Sequence, residues 1–282
     1  LKTSYTLGSF FIKKSEFNVY MGIVVISFAV VFFNFFFKIS WIIQSFILFT
    51  LLAVNFNLRI LKKLVSISLI LSFIIFIITL NKSYHNDFGL YHLPYIEYLN
   101  SDKINFGLTN INFRFGHASV LSYFTSLFNF KILNIGIVSM ITSHVFIVAY
   151  FIYTAVKNLF IKKGINFFDI FSIFIICYFL MHINGLNKIG YDVFPIIFIF
   201  QGIKLFKTNN LKFSIRIKGI IFFLYAFFLK TITLGFFIIP LIYFIKNPNK
   251  LIIVLKSQIT FISIAITLLF ILKNIINTGC IL

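Results

Sequence analysis

Apolar residues run almost unbroken over 17–37, 39–58, 64–80, 132–156, 166–183, 193–206, 219–229, 231–245 and 257–272, with short basic clusters between them. In lipid every backbone N–H and C=O must be satisfied within its own segment, so runs this apolar are expected as helices. Orientation follows from the clusters, because Lys and Arg collect on the cytoplasmic side. Lys2, Lys13 and Lys14 precede the first run, Arg59, Lys62 and Lys63 follow the second, and Lys157, Lys162 and Lys163 follow the fourth. They share a side if 81–131 lies outside and only one of 118–130 and 132–156 crosses. The segment 118–130 is too short for a hydrocarbon core of about 30 Å, so it is expected as a re-entrant or interfacial helix. The same bookkeeping decides 219–245, which has Lys230 in its middle and basic clusters on both sides. An even number of crossings keeps both clusters inside, so 219–245 is expected as a hairpin of two short helices with Lys230 and Thr231 at its outer tip. The expected fold is all-α: one polytopic transmembrane helical bundle over 1–282, with about nine crossings, the N-terminus cytoplasmic, and interfacial or re-entrant helices in the 81–131 region. No internal repeat or Gly/Ser linker divides it.

Composition sharpens this picture. Of the 282 residues 60% are hydrophobic and 11% charged, with a mean hydropathy of +1.04. Soluble domains are about 45–50% apolar and 25% charged, so a soluble globular enzyme is excluded. Lys and Arg outnumber Asp and Glu by 25 to 6, which in a soluble protein would suggest nucleic acid. Here the basic residues lie between apolar runs and mark topology, and no nucleic-acid partner is expected. The 43 Phe, with many Ile, Asn and Lys, fit an AT-rich genome, so the distribution of charge carries more meaning than its total. Cys177 and Cys280 form neither a disulfide framework nor a metal spacing. The chain begins with Leu1 and stops at Leu282 just after an apolar run, which leaves open a fragment truncated at both ends, and 1–16 lacks the cleavage site of a signal peptide.

The one long polar stretch is 81–117, expected as an outer loop with an interfacial helix. It holds His85, His92 and His117, the carboxylates Asp87, Glu97 and Asp102, and Arg114. Loops held on a rigid scaffold often carry function. Tyr91, Tyr95 and Tyr98 could instead form an aromatic belt, with Leu90, Leu93, Ile96 and Leu99 on lipid. Asp87 favours function, since a carboxylate just beyond a span is expensive unless used or paired. His85, Asp87 and His92 lack the partners of a metal-ligand set, and no metal or cofactor is expected. His144 and His182 read as core or interfacial residues. Asp192, in a polar turn at 184–192, could orient a substrate, pair with Lys188 or Lys230, or stand as a solvated loop acid.

Asp87-Phe88-Gly89-Leu90-Tyr91-His92-Leu93-Pro94, an acidic residue after an early span and at the start of the first large outer loop, resembles the type-C (GT-C) superfamily of multi-pass glycosyltransferases. The pattern D-x-x-L-Y-H-L-P, with Gly107-Leu108-Thr109-Asn110 and Arg114-Phe115-Gly116, also resembles bacterial membrane proteins of that general build. The resemblance covers about 81–117, with a weaker echo in Gly190-Tyr191-Asp192 and Lys230. Three spans precede the loop here, where GT-C enzymes usually have one. The resemblance implies sugar transfer from a polyprenyl-phosphate donor to a hydroxyl of a glycan or lipid acceptor, in cell-surface glycan assembly at a bacterial inner (plasma) membrane. Asp87 would then be the general base. Arg114 and Lys230 would meet the lipid phosphate, and Tyr91, His92, His117 and Asp192 would complete substrate binding.

Two other classes stay open. An O-antigen polymerase or ligase type of protein also uses outer-loop Arg, but Arg114 is the sole outer Arg of this topology. A transporter or flippase would carry ionisable residues in mid-span and broken helices in related halves, at which only Lys230 and Pro240 hint.

Overall fold

The computed structural model describes residues 2–12, 15–53, 58–80, 87–117, 119–130, 136–161, 165–182, 193–207 and 213–279. Every regular element among them is helical. In order they are α1 (Lys2–Phe11), α2 (Ser15–Asn34), α3 (Trp41–Ala53), α4 (Leu58–Thr79), a π-helical turn (Phe88–His92), α5 (Leu93–Ser101), two 3-10 turns (Leu108–Asn110 and Phe113–His117), α6 (Val120–Ser126), α7 (Gly136–Ile161), α8 (Phe167–Met181), α9 (Phe194–Lys207), α10 (Phe213–Arg216), α11 (Gly219–Leu229), a 3-10 helix (Thr231–Phe237), α12 (Ile238–Ile245), α13 (Pro248–Leu255) and α14 (Gln258–Thr278). Among the described residues three helices are long and apolar enough to cross a membrane, within α2, α7 and α14, or four if the bent pair 231–245 and 248–255 forms one span. This is a membrane protein by length and composition of its helices. A span buried on all sides and a span facing lipid are equally apolar in sequence, and packing separates them. The α2 span is 72% buried and central, whereas the α14 span is 28% buried and peripheral.

Helix α2 organises the bundle. Tyr20 packs edge-on against Tyr150 of α7 and Phe198 of α9, and Phe28 meets Tyr225 and Phe228 of α11. Ser27 Oγ and the Tyr225 hydroxyl, 2.7 Å apart, share a buried hydrogen bond. On another side α1 folds back antiparallel along α2, with Gly8 against Asn18 and Gly22 against Ser4. A Cβ at either glycine would overlap the opposing backbone, so the helices approach as closely as small residues allow. The short helix α6 is buried throughout and lodges against α2, α5, α7 and α11. Ser119 caps it, accepting from the Leu121 amide at 3.1 Å.

The stretch 219–245 reverses at Lys230. Phe206 of α9 touches Phe223 on the outgoing leg and Tyr243 and Phe244 on the return. The expected second short helix differs in detail, since the return starts as the 3-10 helix Thr231–Phe237 before becoming α12. The chain then bends by 113° into α13, whose Pro248 supplies a first-turn residue that has no N–H to satisfy.

The two ends of α2 mark two ends of the bundle. At its start Glu16 accepts from Lys204 Nζ of α9 at 3.0 Å and from Asn158 Nδ2 of α7 at 3.2 Å. Thus the start of α2 and the later parts of α7 and α9 meet. At its other end, segment 87–117 forms a cap. The Ile104 amide donates to the Asn34 carbonyl at 3.0 Å, the Gly107 amide to the Ile276 carbonyl of α14 at 2.9 Å, and Thr109 Oγ1 to the Asn277 carbonyl at 3.3 Å. Gly107 makes the turn at a φ of +69°, in the left-handed region that glycine enters at little cost.

Candidate functional site

Asp87 opens the π-helical turn that runs into α5. Pro94 accounts for the widened turn: it has no N–H for the Leu90 carbonyl, and its ring crowds that carbonyl. The ladder shifts to a bond from the Leu93 amide to the Phe88 carbonyl. Single π turns of this kind recur at functional sites. Phe88 and His92 are thereby turned into the protein, while Asp87 and Tyr91 stay half-buried.

Arg114 comes from the 3-10 turn 27 residues later. Its amide donates to Asn112 Oδ1 at 3.1 Å, fixing the start of the turn. Its Nη1 lies 3.3 Å from Asp87 Oδ1, and its guanidinium sits 5.5 Å from the Tyr91 ring centroid and 5.8 Å from that of Phe113. The Asp87 and Arg114 side chains are 39% and 38% exposed. At that exposure water screens the pair, which contributes only about 0–1 kcal/mol to stability. Its half-open geometry leaves both charges within reach of a polar ligand.

Behind the pair lies a buried polar layer. The His92 ring lies 4.1 Å from that of Tyr91, tilted by 41°. The Tyr95 hydroxyl is 3.0 Å from that of Tyr123 and accepts from Asn277 Nδ2 at 3.3 Å. Burial raises the Tyr95 phenol above its ordinary value, and burial together with the Asp102 carboxylate does the same to Tyr98. Lys273, only 2% exposed, places Nζ 4.9 Å from the Phe270 ring and 5.9 Å from that of Tyr123. The cap, α5, α6 and α14 therefore meet around two phenols, an amide and a lysine amine.

The expected site residues divide as follows. Asp87, Tyr91, His92 and Arg114 come together. His117 lies in the 3-10 turn with Arg114, and its side chain is outside the described residues, as are Asp192, Lys188 and His85. Lys230 is exposed where α11 ends. The aromatic-belt alternative is corrected in part. Tyr95, Ile96 and Leu99 are buried in protein, because that face of α5 packs on α6 rather than on lipid. Leu90 is exposed. His144 is a core residue as expected, buried beside Thr125 Oγ1 at 3.3 Å and the Phe194 ring at 5.1 Å. Sequence reasoning missed Tyr123, Lys273 and Asn277. The available signal was a lysine at the end of an apolar run with asparagines one and four positions on, since an ionisable residue inside a membrane helix marks a functional candidate by default. Among the described residues no three His, Cys, Asp or Glu gather as metal ligands. Two apolar grooves flank α14, one of about 330 Å³ against α2, lined by Phe28, Phe32, Ile266 and Leu269, and one of about 350 Å³ against α11, lined by Ile220, Leu224 and Ser263.

A family model described as a domain of unknown function, DUF8201, matches residues 5–282, and the chain belongs to that family. No curated protein and no solved structure matches it.

Proposed function

We propose that this DUF8201 member is a membrane glycosyltransferase of GT-C-like build that moves a sugar from a polyprenyl-phosphate donor to a hydroxyl acceptor in cell-surface glycan assembly. The observation that carries the reading is the half-exposed Asp87–Arg114 pair, assembled from two turns of the cap at one end of an apolar bundle. In this reading the acceptor O–H gives its proton to the Asp87 carboxylate as its oxygen bonds to the sugar C1. The C1–O bond to the lipid phosphate breaks, and the electron pair leaves on the phosphate. Arg114 meets that developing charge, a guanidinium carrying five N–H donors in a planar fork. Tyr91 and His92 form the wall beside the reacting groups, with His117, Asp192 and Lys230 as further substrate contacts. The grooves along α14 suit the hydrocarbon tail of the donor. The proposed setting is a bacterial inner membrane, the N-terminus cytoplasmic, with nine crossings and 118–130 as the re-entrant segment.

The test is sugar transfer in proteoliposomes supplied with polyprenyl-phosphate sugars. Loss of a general base typically costs about 10²–10⁴-fold, so Asp87→Asn should lower transfer by that much at unchanged protein level, and Arg114→Lys should weaken donor use. Full activity of Asp87→Asn overturns the assignment. Lys273, a lysine buried in an apolar helix, favours a transporter as the second reading. Donor-dependent movement of label across the bilayer without any new glycosidic product would decide for it.

A further inference from the structure

Six large apolar side chains stand out at the cap end of the bundle: Phe36, Phe37 and Trp41 around the α2–α3 turn, and Phe106, Ile111 and Phe113 on the cap. Their exposures run from 58% for the first three to 72–85% for the others. The two groups belong to one rigid surface. Asn34 Nδ2 donates to the Phe37 and Asp102 carbonyls, both at 3.2 Å, the Ile39 amide donates to the Leu99 carbonyl at 2.9 Å, and Asn100 Nδ2 donates to the Ile39 carbonyl at 2.8 Å. The surface also reaches one turn down α2, since Phe36 packs edge-on against the exposed Phe32 at 5.4 Å. Interleaved with it are the exposed cations Lys38 and Lys103. Aromatic side chains at the end of an apolar bundle, with lysines among them, match the chemistry of a membrane–water interface.

We propose that this rim is seated in the headgroup region of an anionic bilayer, so that the cap dips into the leaflet instead of standing clear of it. The rim aromatics reach the boundary between headgroups and acyl chains, and Lys38 and Lys103 meet lipid phosphates. The Asp87–Arg114 pair, whose guanidinium lies beside the Phe113 ring, is then held at headgroup depth. A second protein or a second copy of the chain would cover the apolar groups equally well. Continuity with the exposed last turns of a membrane-spanning helix and the lysine content favour lipid.

The chain contains a single tryptophan, Trp41, so the unaltered protein is itself the first probe. It is reconstituted into phosphatidylcholine–phosphatidylglycerol vesicles with bromine either near the headgroup or deep in the acyl chain. Trp41 emission should be blue-shifted and lose more intensity to the shallow bromines than to the deep ones, as for side chains about 5–10 Å into the boundary. In a Trp41→Phe background, Phe106→Trp and Phe113→Trp should report the same depth. Water-like emission at the cap positions, quenched by acrylamide and not by bromolipid, overturns the proposal. Blue-shifted emission insensitive to bromolipid also overturns it and assigns the rim to a protein partner or a second copy. Neither readout depends on catalysis, so the result stands apart from the proposed sugar transfer.

Discussion

Tyr95 is held by a hydrogen bond on either side, Tyr123 and Asn277, and its phenol is raised by burial. The neutral form is thus the one the fold favours. The associated stability is fully present below the ordinary phenol value of 10.0 and is lost as the pH rises through the higher folded value. Tyr95→Phe should flatten that alkaline loss, while costing about 1–3 kcal/mol at neutral pH because buried partners lose a hydrogen bond. Thermal unfolding in detergent from pH 7 to 11 reads both effects. For Lys273, Lys273→Met keeps the volume and should leave the melting temperature at or above the original. Lys273→Ala opens a cavity and should cost about 2–5 kcal/mol. At this scale the polar residues of the cap were legible, because Asp87 and Arg114 stand out in a chain that is 11% charged. The buried layer of Tyr123, Lys273 and Asn277 behind them was not. Tyr95, which joins that layer, shares its helical spacing with a lipid-facing belt, and a face turned to protein reads the same as one turned to lipid when both are apolar.

Among the elements, the hairpin at Lys230 was legible from charge alone, since basic clusters on both sides of 219–245 demand a return. The 3-10 character of its second leg was not, because Thr231–Phe237 carries no turn signal strong enough to separate a tight helix from an ordinary one. The α1–α2 hairpin escaped the sequence for another reason. Its contact rests on Ser4, Gly8, Asn18 and Gly22, small or polar residues that hydropathy ignores. Gly22→Leu should cost about 1–3 kcal/mol by overpacking, because even its Cβ would overlap the Ser4 carbonyl. Comparing its melting temperature with that of Ala29→Leu, at an exposed position of the same helix, separates the crossing from helix propensity.

For the whole molecule, the meeting of Glu16, Asn158 and Lys204 places the start of α2 and the later parts of α7 and α9 at one end, and the cap at the other. The sequence-derived topology assigns the same groups to opposite faces. Ser101→Cys and Lys207→Cys, both exposed positions, should therefore label from opposite sides in a Cys177→Ser, Cys280→Ser background. Labelling of both from one side rejects the topology. The ion pair is only 11% and 17% exposed, and removing one partner of such a pair costs about 3–5 kcal/mol. Glu16→Gln should lower the melting temperature accordingly, and adding Lys204→Met should restore part of the loss.

That pair also sets a schedule for biogenesis. Its two residues are 188 positions apart, so at a synthesis rate of about 5–20 residues per second the carboxylate leaves the ribosome roughly 10–40 s before its lysine. Throughout that interval Glu16 has no α9 lysine to meet, and the first hairpin stands without the contact that ties it to the later helices. Slowing elongation lengthens the wait, and pulse-labelled nascent chains should show a protease-sensitive N-terminal hairpin that becomes resistant only after α9 has emerged.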